Sequence, residues 1–364
     1  MADEVWERAS MISTGEVVVE KIAVAHGHGE SLEALAIESS RVVLGSVRVN
    51  LGSSRVILGS SNTNSTQKDP NSALDDANLN DPRSALNDAK STLKDLSSTL
   101  ADAKLTLKDP SSTLNDAKST LKDPNFISGV VAATFSNPNR FPSLAVKVAS
   151  ALGLPASTPA FDIQMACSAY PYALYVAGKL SQDTGGKVLV VDGDVQSPFV
   201  DKGDHATGSI FSDACTASIV SCSGECAARS YFDFLSRADD ALKCPGTGPI
   251  SMDGFAVFSF VATEVSKFLS SFLDGVAAGA GFDPRSLPFA PHQANPYMVR
   301  RLADALGLAD KLIAIPEEIK NPGSCSVPMA LAMKGRPGRV VIAGFGAGYS
   351  ASAAVIRLGE GFAS

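Results

Sequence analysis

The chain is short of the features that mark nucleic-acid, metal and membrane proteins. Lys and Arg (31) are outnumbered by Asp and Glu (38), for a formal net charge of −7. Such a chain lacks the cationic field that draws nucleic acid. No uninterrupted apolar run is long enough to span a bilayer. The first residues, Met1 to Arg8, are mixed in charge. They have neither the form of a secretory signal nor that of a transit peptide, so a cytoplasmic location is expected. Histidine is scarce: His26, His28, His205 and His292. The cysteines are Cys167, Cys215, Cys222, Cys226, Cys244 and Cys325. Only Cys222 and Cys226 are close, with no His or second pair to complete a zinc set. Free thiols and no metal are expected.

Two tandem repeats lie before residue 126. Ser39–Gly45, Ser46–Gly52 and Ser53–Gly59 repeat every seven residues. Asp81–Lys94, Asp95–Lys108 and Asp109–Lys122 repeat every fourteen. Leucines recur every seventh position from Leu79 to Leu121, but their heptad partners are at best alanines, and Pro82, Pro110 and Pro124 interrupt. That argues against a coiled coil. Short helices started by Asp-Pro pairs, or disorder, are expected.

Beyond Phe126 the text alternates strand-like and helix-like stretches. Strands are predicted at 127–135, 161–165, 187–192, 216–221, 339–343 and 352–357, and 288–290 leads into the segment that holds His292. Helices are predicted at 143–152, after Cys167 to about 181, at 254–278 and at 296–306. Apolar strands alternating with helices imply an α/β layered fold.

Cys167 stands where such a strand gives way to such a helix, and a helix N-terminus favours a thiolate. Two other segments carry groups a thiolate would use: Pro291-His292-Gln293-Ala294-Asn295 and Asn321-Pro322-Gly323-Ser324. A Cys, a His and an Asn far apart in sequence form a nucleophilic site if the fold unites them. The glycine stretch Gly344–Gly348 lacks the early position and the downstream acid of a dinucleotide fingerprint.

Across residues 127–358 these segments, in this order, resemble the β-ketoacyl-acyl-carrier-protein synthase III family of the thiolase superfamily. Phe211-Ser212-Asp213-Ala214 and Met252 to Phe258 fit it as well. The resemblance implies a thiolase-like fold of two related βαβαβ halves. The expected parts are a degenerate N-terminal part (1–61), a repeat insert (62–125), a half carrying Cys167 (126–245) and a half carrying His292 and Asn321 (246–364). The N-terminal half reads as incomplete, with its first strand unrecognised. A Trp–Arg pair that holds coenzyme A in the family is not found; Ser13 and Ala9 stand at the expected spacing.

The resemblance also implies an acyltransferase that joins an acyl-CoA to malonyl-acyl carrier protein with loss of carbon dioxide. Cys167 would carry the acyl group, and His292 and Asn321 would stabilise the enolate. The backbone N–H groups of Cys167 and Ala347 would hold the oxyanion. Phe141 would floor the partner's acyl pocket in a homodimer. Tyr297 takes the place of an Arg, and Arg300 and Arg301 one turn on would meet the carrier protein. No cofactor is implied beyond the coenzyme A thioester substrate. The alternatives are a non-condensing acyltransferase and an inactive homologue acting as an interaction protein.

Overall fold

A computed structural model describes residues 16–26, 31–44, 55–58, 127–204, 206–223, 231–246 and 248–362. The fourteen-residue repeats and the insert 62–125 lie outside the described residues, as do Trp6, Ser13, His28, His205 and Cys226.

The strand missing from the sequence reading is present. β1 (Glu16–His26) sits inside a ten-stranded sheet. Its apolar run is broken at Glu20-Lys21, where the register against its neighbour shifts between Val19 and Lys21. A bulge of this kind hides a strand from a search for uniform alternation. α1 (Leu32–Leu44) follows, then β2 (Arg55–Leu58), antiparallel to β1.

The remaining strands are β3 (Ile127–Ala133), β4 (Ala160–Ile163), β5 (Lys187–Asp194), β6 (Ala214–Ser223), β7 (Tyr231–Ser236), the short pair β8 (Leu242–Lys243) and β9 (Ser251–Met252), then β10 (Phe289–Pro291), β11 (Gly338–Gly346) and β12 (Ser350–Leu358). The main order is β10-β11-β12-β1-β6-β5-β3-β4, with β7 on β12. One pattern of pairing occurs twice. β1, β6, β5 and β3 are joined antiparallel, antiparallel, parallel. β7, β12, β11 and β10 are joined the same way. β7 precedes residue 245 in the chain, yet its ladder partner is β12.

The helices fill both sides. α2 (Leu144–Ala151) is capped by Ser143, whose hydroxyl accepts from Val146 N–H. α3 (Ala169–Thr184) buries Ala169, Tyr170, Ala173, Leu174 and Ala177 in the main core. Small residues let it lie close to β1: a Cβ on Gly178 would stand 2.5 Å from Val17. α4 (Gly254–Phe260) runs through a π turn at Val261–Val265 into α5 (Ser266–Ala280). This helix is long and apolar enough to cross a membrane by length and composition alone, although Glu264, Lys267 and Asp274 interrupt its apolar run. Its apolar face, including Phe260, Phe268, Phe272 and Val276, belongs to the core of the second half. α6 (Pro296–Ala305) and α7 (Ser326–Lys334) complete the set.

Candidate active site

Cys167 lies in a single 3-10 turn, Ala166–Ser168, between β4 and α3. Ala166 takes φ +43° to make the turn. Serines tie this turn to the β11–β12 hairpin. Ser168 Oγ lies 2.6 Å from Ser350 Oγ, and Ser352 Oγ donates to the Ser168 carbonyl at 2.8 Å. The hairpin comes so close that only glycine fits. A Cβ on Gly344 would stand 2.7 Å from Ser168 Cα. β11 therefore continues through Gly346, and the expected glycine loop is in fact a strand end with a turn at 347–349.

Cys167 as a whole is half-buried. Its thiol is pushed up to about 12, first by loss of hydration and then by the charge of Asp194. The N–H groups of Cys167 and Ala347 pull the other way. The thiolate expected from the helix terminus is therefore not the resting state. Burial and a neighbouring carboxylate outweigh the helix, and the resting group is a thiol.

His292 follows β10 and is 2 % exposed. Its N–H donates to the Ala343 carbonyl, and its ring meets Phe345 edge-on at 5.4 Å. Burial lowers the imidazole from 6.5 to about 4, partly offset by the Gly323 backbone, so the ring is neutral. His292 Nδ1 lies 2.9 Å from Ser326 Oγ, which also accepts from Gln293 N–H. Ser326 is fully buried, and because its oxygen already accepts from Gln293 N–H, its hydroxyl proton is assigned to Nδ1. Assigned from this network, the imidazole carries its own proton on Nε2.

Asn321 is 5 % exposed and bridges to Phe211. Its carbonyl accepts from Ser212 N–H and from Gln196 Nε2, both at 3.0 Å. Its side-chain Oδ1 accepts from Gly323 N–H at 3.0 Å, which leaves the Nδ2 hydrogens for a ligand. The Gly323–Cys325 turn packs on the Cys167 turn. Cys167 lies against Gly346, His292 against Phe345 and the Gly323 backbone, and Asn321 Oδ1 accepts from Gly323 N–H. Ala347 joins them through its N–H.

The other sequence candidates are exposed, and Arg300 lines a cleft together with Asn321. Phe141 is 84 % exposed, ahead of α2. Arg300 and Arg301 are exposed on α6, and Arg300 pairs with Glu317 at 2.7 Å. A cleft of about 370 Å³ opens beside Asn321 and Lys320, and neither Cys167 nor His292 lines it. Sequence reasoning missed Ser326, Gln196, Asp192 and Asp194. The sole signal for the last two was Asp192-Gly193-Asp194 ending an otherwise apolar strand. Among the described residues no group of His, Cys, Asp and Glu could hold a metal ion.

The chain is similar to known proteins. The family 3-oxoacyl-[acyl-carrier-protein] synthase III matches residues 161–239, and its C-terminal part matches 278–358. A β-ketoacyl-[acyl-carrier-protein] synthase III of Neisseria gonorrhoeae is 30% identical over 237 residues, 60% of this chain and 73% of that protein. The chain belongs to the β-ketoacyl-acyl-carrier-protein synthase III family. A synthase III of Salmonella typhimurium is 31% identical over 231 residues, with the same coverage. Among solved structures, a 3-oxoacyl-(acyl-carrier protein) synthase from Burkholderia xenovorans superposes with a TM-score of 0.59 at 28% identity, covering 67% of this chain and 78% of that one. A priming β-ketosynthase of a polyketide pathway gives 0.57 at 27% identity, covering 65% and 76%. The protein is an enzyme, an acyltransferase of the synthase III type with the thiolase-like fold.

Proposed function

We propose that the protein condenses an acyl-CoA with malonyl-acyl carrier protein. The placing of Cys167, His292 and Asn321 on segments that pack around the Gly323 turn supports this reading. Cys167 sulfur attacks the acyl thioester, coenzyme A leaves as its thiol, and the acyl group stays on the enzyme. The oxyanion of that step accepts from the N–H groups of Cys167 and Ala347, which already aim at the sulfur. Donors fixed in advance need no reorganisation during reaction.

The malonyl thioester then takes the vacated site. Its carbonyl accepts from His292 Nε2–H and Asn321 Nδ2–H. A neutral imidazole suits this role, because the enolate formed as carbon dioxide leaves needs a donor and not a proton. The new carbanion attacks the acyl carbon, Cys167 departs as thiolate and regains a proton, and a 3-oxoacyl thioester is released. Decarboxylation supplies the carbanion, so the reaction requires no cofactor beyond the thioester.

The exposed Phe141 supports a homodimer in which it floors the partner's acyl pocket. Arg300 and Arg301 are the proposed contacts for the acidic carrier protein, in the cytoplasm. The division at residues 61, 125 and 245 remains the proposed domain plan, with β7 lending its ladder to the second half.

The test is intact-mass spectrometry with acyl-CoA. Cys167→Ser should take up no acyl group. His292→Ala and Asn321→Ala should keep acylation and lose malonyl decarboxylation by about a hundredfold or more. An adduct that persists without Cys167, or maps to Cys325, overturns the reading.

A further inference from the structure

One side chain ties together segments that are far apart in sequence, behind the main chain of Asn321. Gln196 follows β5 and is 2% exposed. Its Nε2 lies 2.9 Å from the Ser212 carbonyl oxygen and 3.0 Å from the Asn321 carbonyl oxygen. Both of these oxygens can only accept. The end of the amide that meets them is therefore the NH2 group, with one hydrogen for each. The same amide lies against the Asn321 turn: a Cβ on Gly323 would stand 3.5 Å from Gln196 Nε2. Gly323 N–H is the donor that holds Asn321 Oδ1.

Gln196 is itself held in place. Asp213, directly before β6, accepts through Oδ1 from Gln196 N–H at 2.7 Å and from Ser197 N–H at 2.9 Å. Its Oδ2 accepts from Ser197 Oγ at 2.6 Å. The neighbouring Ser212 N–H donates to the Asn321 carbonyl, and Asn321 N–H donates to the Ile210 carbonyl at 3.0 Å. Both polar groups of the Asn321 main chain are thus bonded, and Gln196 bridges the two carbonyls that lie side by side there. A hydrocarbon in its place would take this donor from two carbonyls at a buried position, which is costly.

We propose that Gln196 is a positioning residue for the malonyl half-reaction, fixing the Asn321 turn so that Asn321 Nδ2–H is aimed before the enolate forms. This rests on the condensing reading. Both hydrogens of the Gln196 amide are taken by main-chain carbonyls, and Gln196 is not among the residues that line the cleft beside Asn321. It therefore acts through Asn321. A donor fixed in advance stabilises the growing charge without reorganisation. A misplaced group costs about a hundredfold in rate. Ser212 and Ile210 still hold Asn321 when Gln196 is gone, so its loss alone should cost less, about tenfold. Its side-chain bonds run to Ser212 and Asn321 and not to the Cys167 turn, so acylation should be spared.

The test separates the two half-reactions in the full chain. Acylation of Cys167 is read by intact mass with acetyl-CoA and longer acyl-CoAs. Decarboxylation is read as labelled carbon dioxide released from malonyl-acyl carrier protein. Gln196→Met keeps the length of the side chain and removes its donors. It should lower kcat for decarboxylation about tenfold and leave acylation at the wild-type rate. KM for the malonyl thioester should change little, because the lost alignment matters most where charge grows in the transition state. In an Asn321→Ala background the same substitution should slow decarboxylation no further, because nothing is left to position. Wild-type decarboxylation in Gln196→Met, equal loss of both half-reactions, or a loss that adds in full to that of Asn321→Ala overturns the proposal. If circular dichroism shows Gln196→Met unfolded, Gln196→Asn takes its place with the same expectations, its amide one methylene short of the carbonyls. Failure of both to fold means that the amide serves the fold and also overturns the proposal. A wild type that takes up no acyl group, or takes it up and leaves malonyl intact, defeats the condensing reading itself and this inference with it.

Discussion

A side chain at Gly346 would press on Cys167. A Cβ there would stand 3.0 Å from Cys167 Cβ and 3.3 Å from Sγ. Its φ of +154° is also one that other residues rarely adopt. Gly346→Ala should push the sulfur off the line of the Ala347 N–H. A displacement of this kind costs about a hundredfold in rate. The measurement is the acylation rate by intact mass, with circular dichroism to check folding; near-wild-type acylation would contradict it.

Ser326 and His292 give the second prediction. Without the Ser326 hydroxyl, Nδ1 has no donor and the imidazole is free to carry its proton on the wrong nitrogen. Ser326→Ala should slow malonyl decarboxylation by about a hundredfold and leave acylation of Cys167 intact. Ser326→Thr keeps the hydroxyl and should restore most of the rate. If both half-reactions fall together, Ser326 serves packing and not the tautomer.

How much of this was legible in the sequence depended on whether one residue or many decide a feature. Many of the strands and helices after Phe126 could be read because each is a continuous or periodic apolar stretch, but β7 and α7 were missed. The Cys167, His292 and Asn321 segments could be read because each is local. The seven-residue repeat shows the opposite case. Arg41-Val42-Val43-Leu44 lies in α1, while the similar Arg55-Val56-Ile57-Leu58 forms β2. Near-identical text takes two structures because the surroundings decide, which no local pattern carries. The thiol state of Cys167 was hidden for the same reason: Asp194 reaches it only in the fold.

Lys320 gives a prediction about stability. It adopts φ +65° and ψ −143°, directly before Asn321. That conformation is strained for any residue with a Cβ. Lys320→Gly should relieve the strain and stabilise the protein by about 1 kcal/mol. Urea denaturation of the two proteins checks it; a less stable variant would mean that the Lys320 side chain contributes more at the cleft than its backbone costs.

His292 and Asp194 should leave opposite marks on stability against pH. His292 titrates near 4 in the folded protein, below its ordinary 6.5. Between those values the unfolded chain binds more protons, so this group makes stability rise with pH and fade as pH falls toward 4. Asp194 is raised from 3.8 to about 6. Between those values the folded chain binds more protons, so this group makes stability fall as pH rises. The two slopes oppose each other across most of the same window. His292→Gln removes the first and exposes the second, so its stability should decline from pH 4 to 6 relative to the wild type. Urea midpoints taken at a series of pH values measure this. Parallel curves for the two proteins would mean that His292 is not held neutral by burial, and its role as a neutral donor would fall with it.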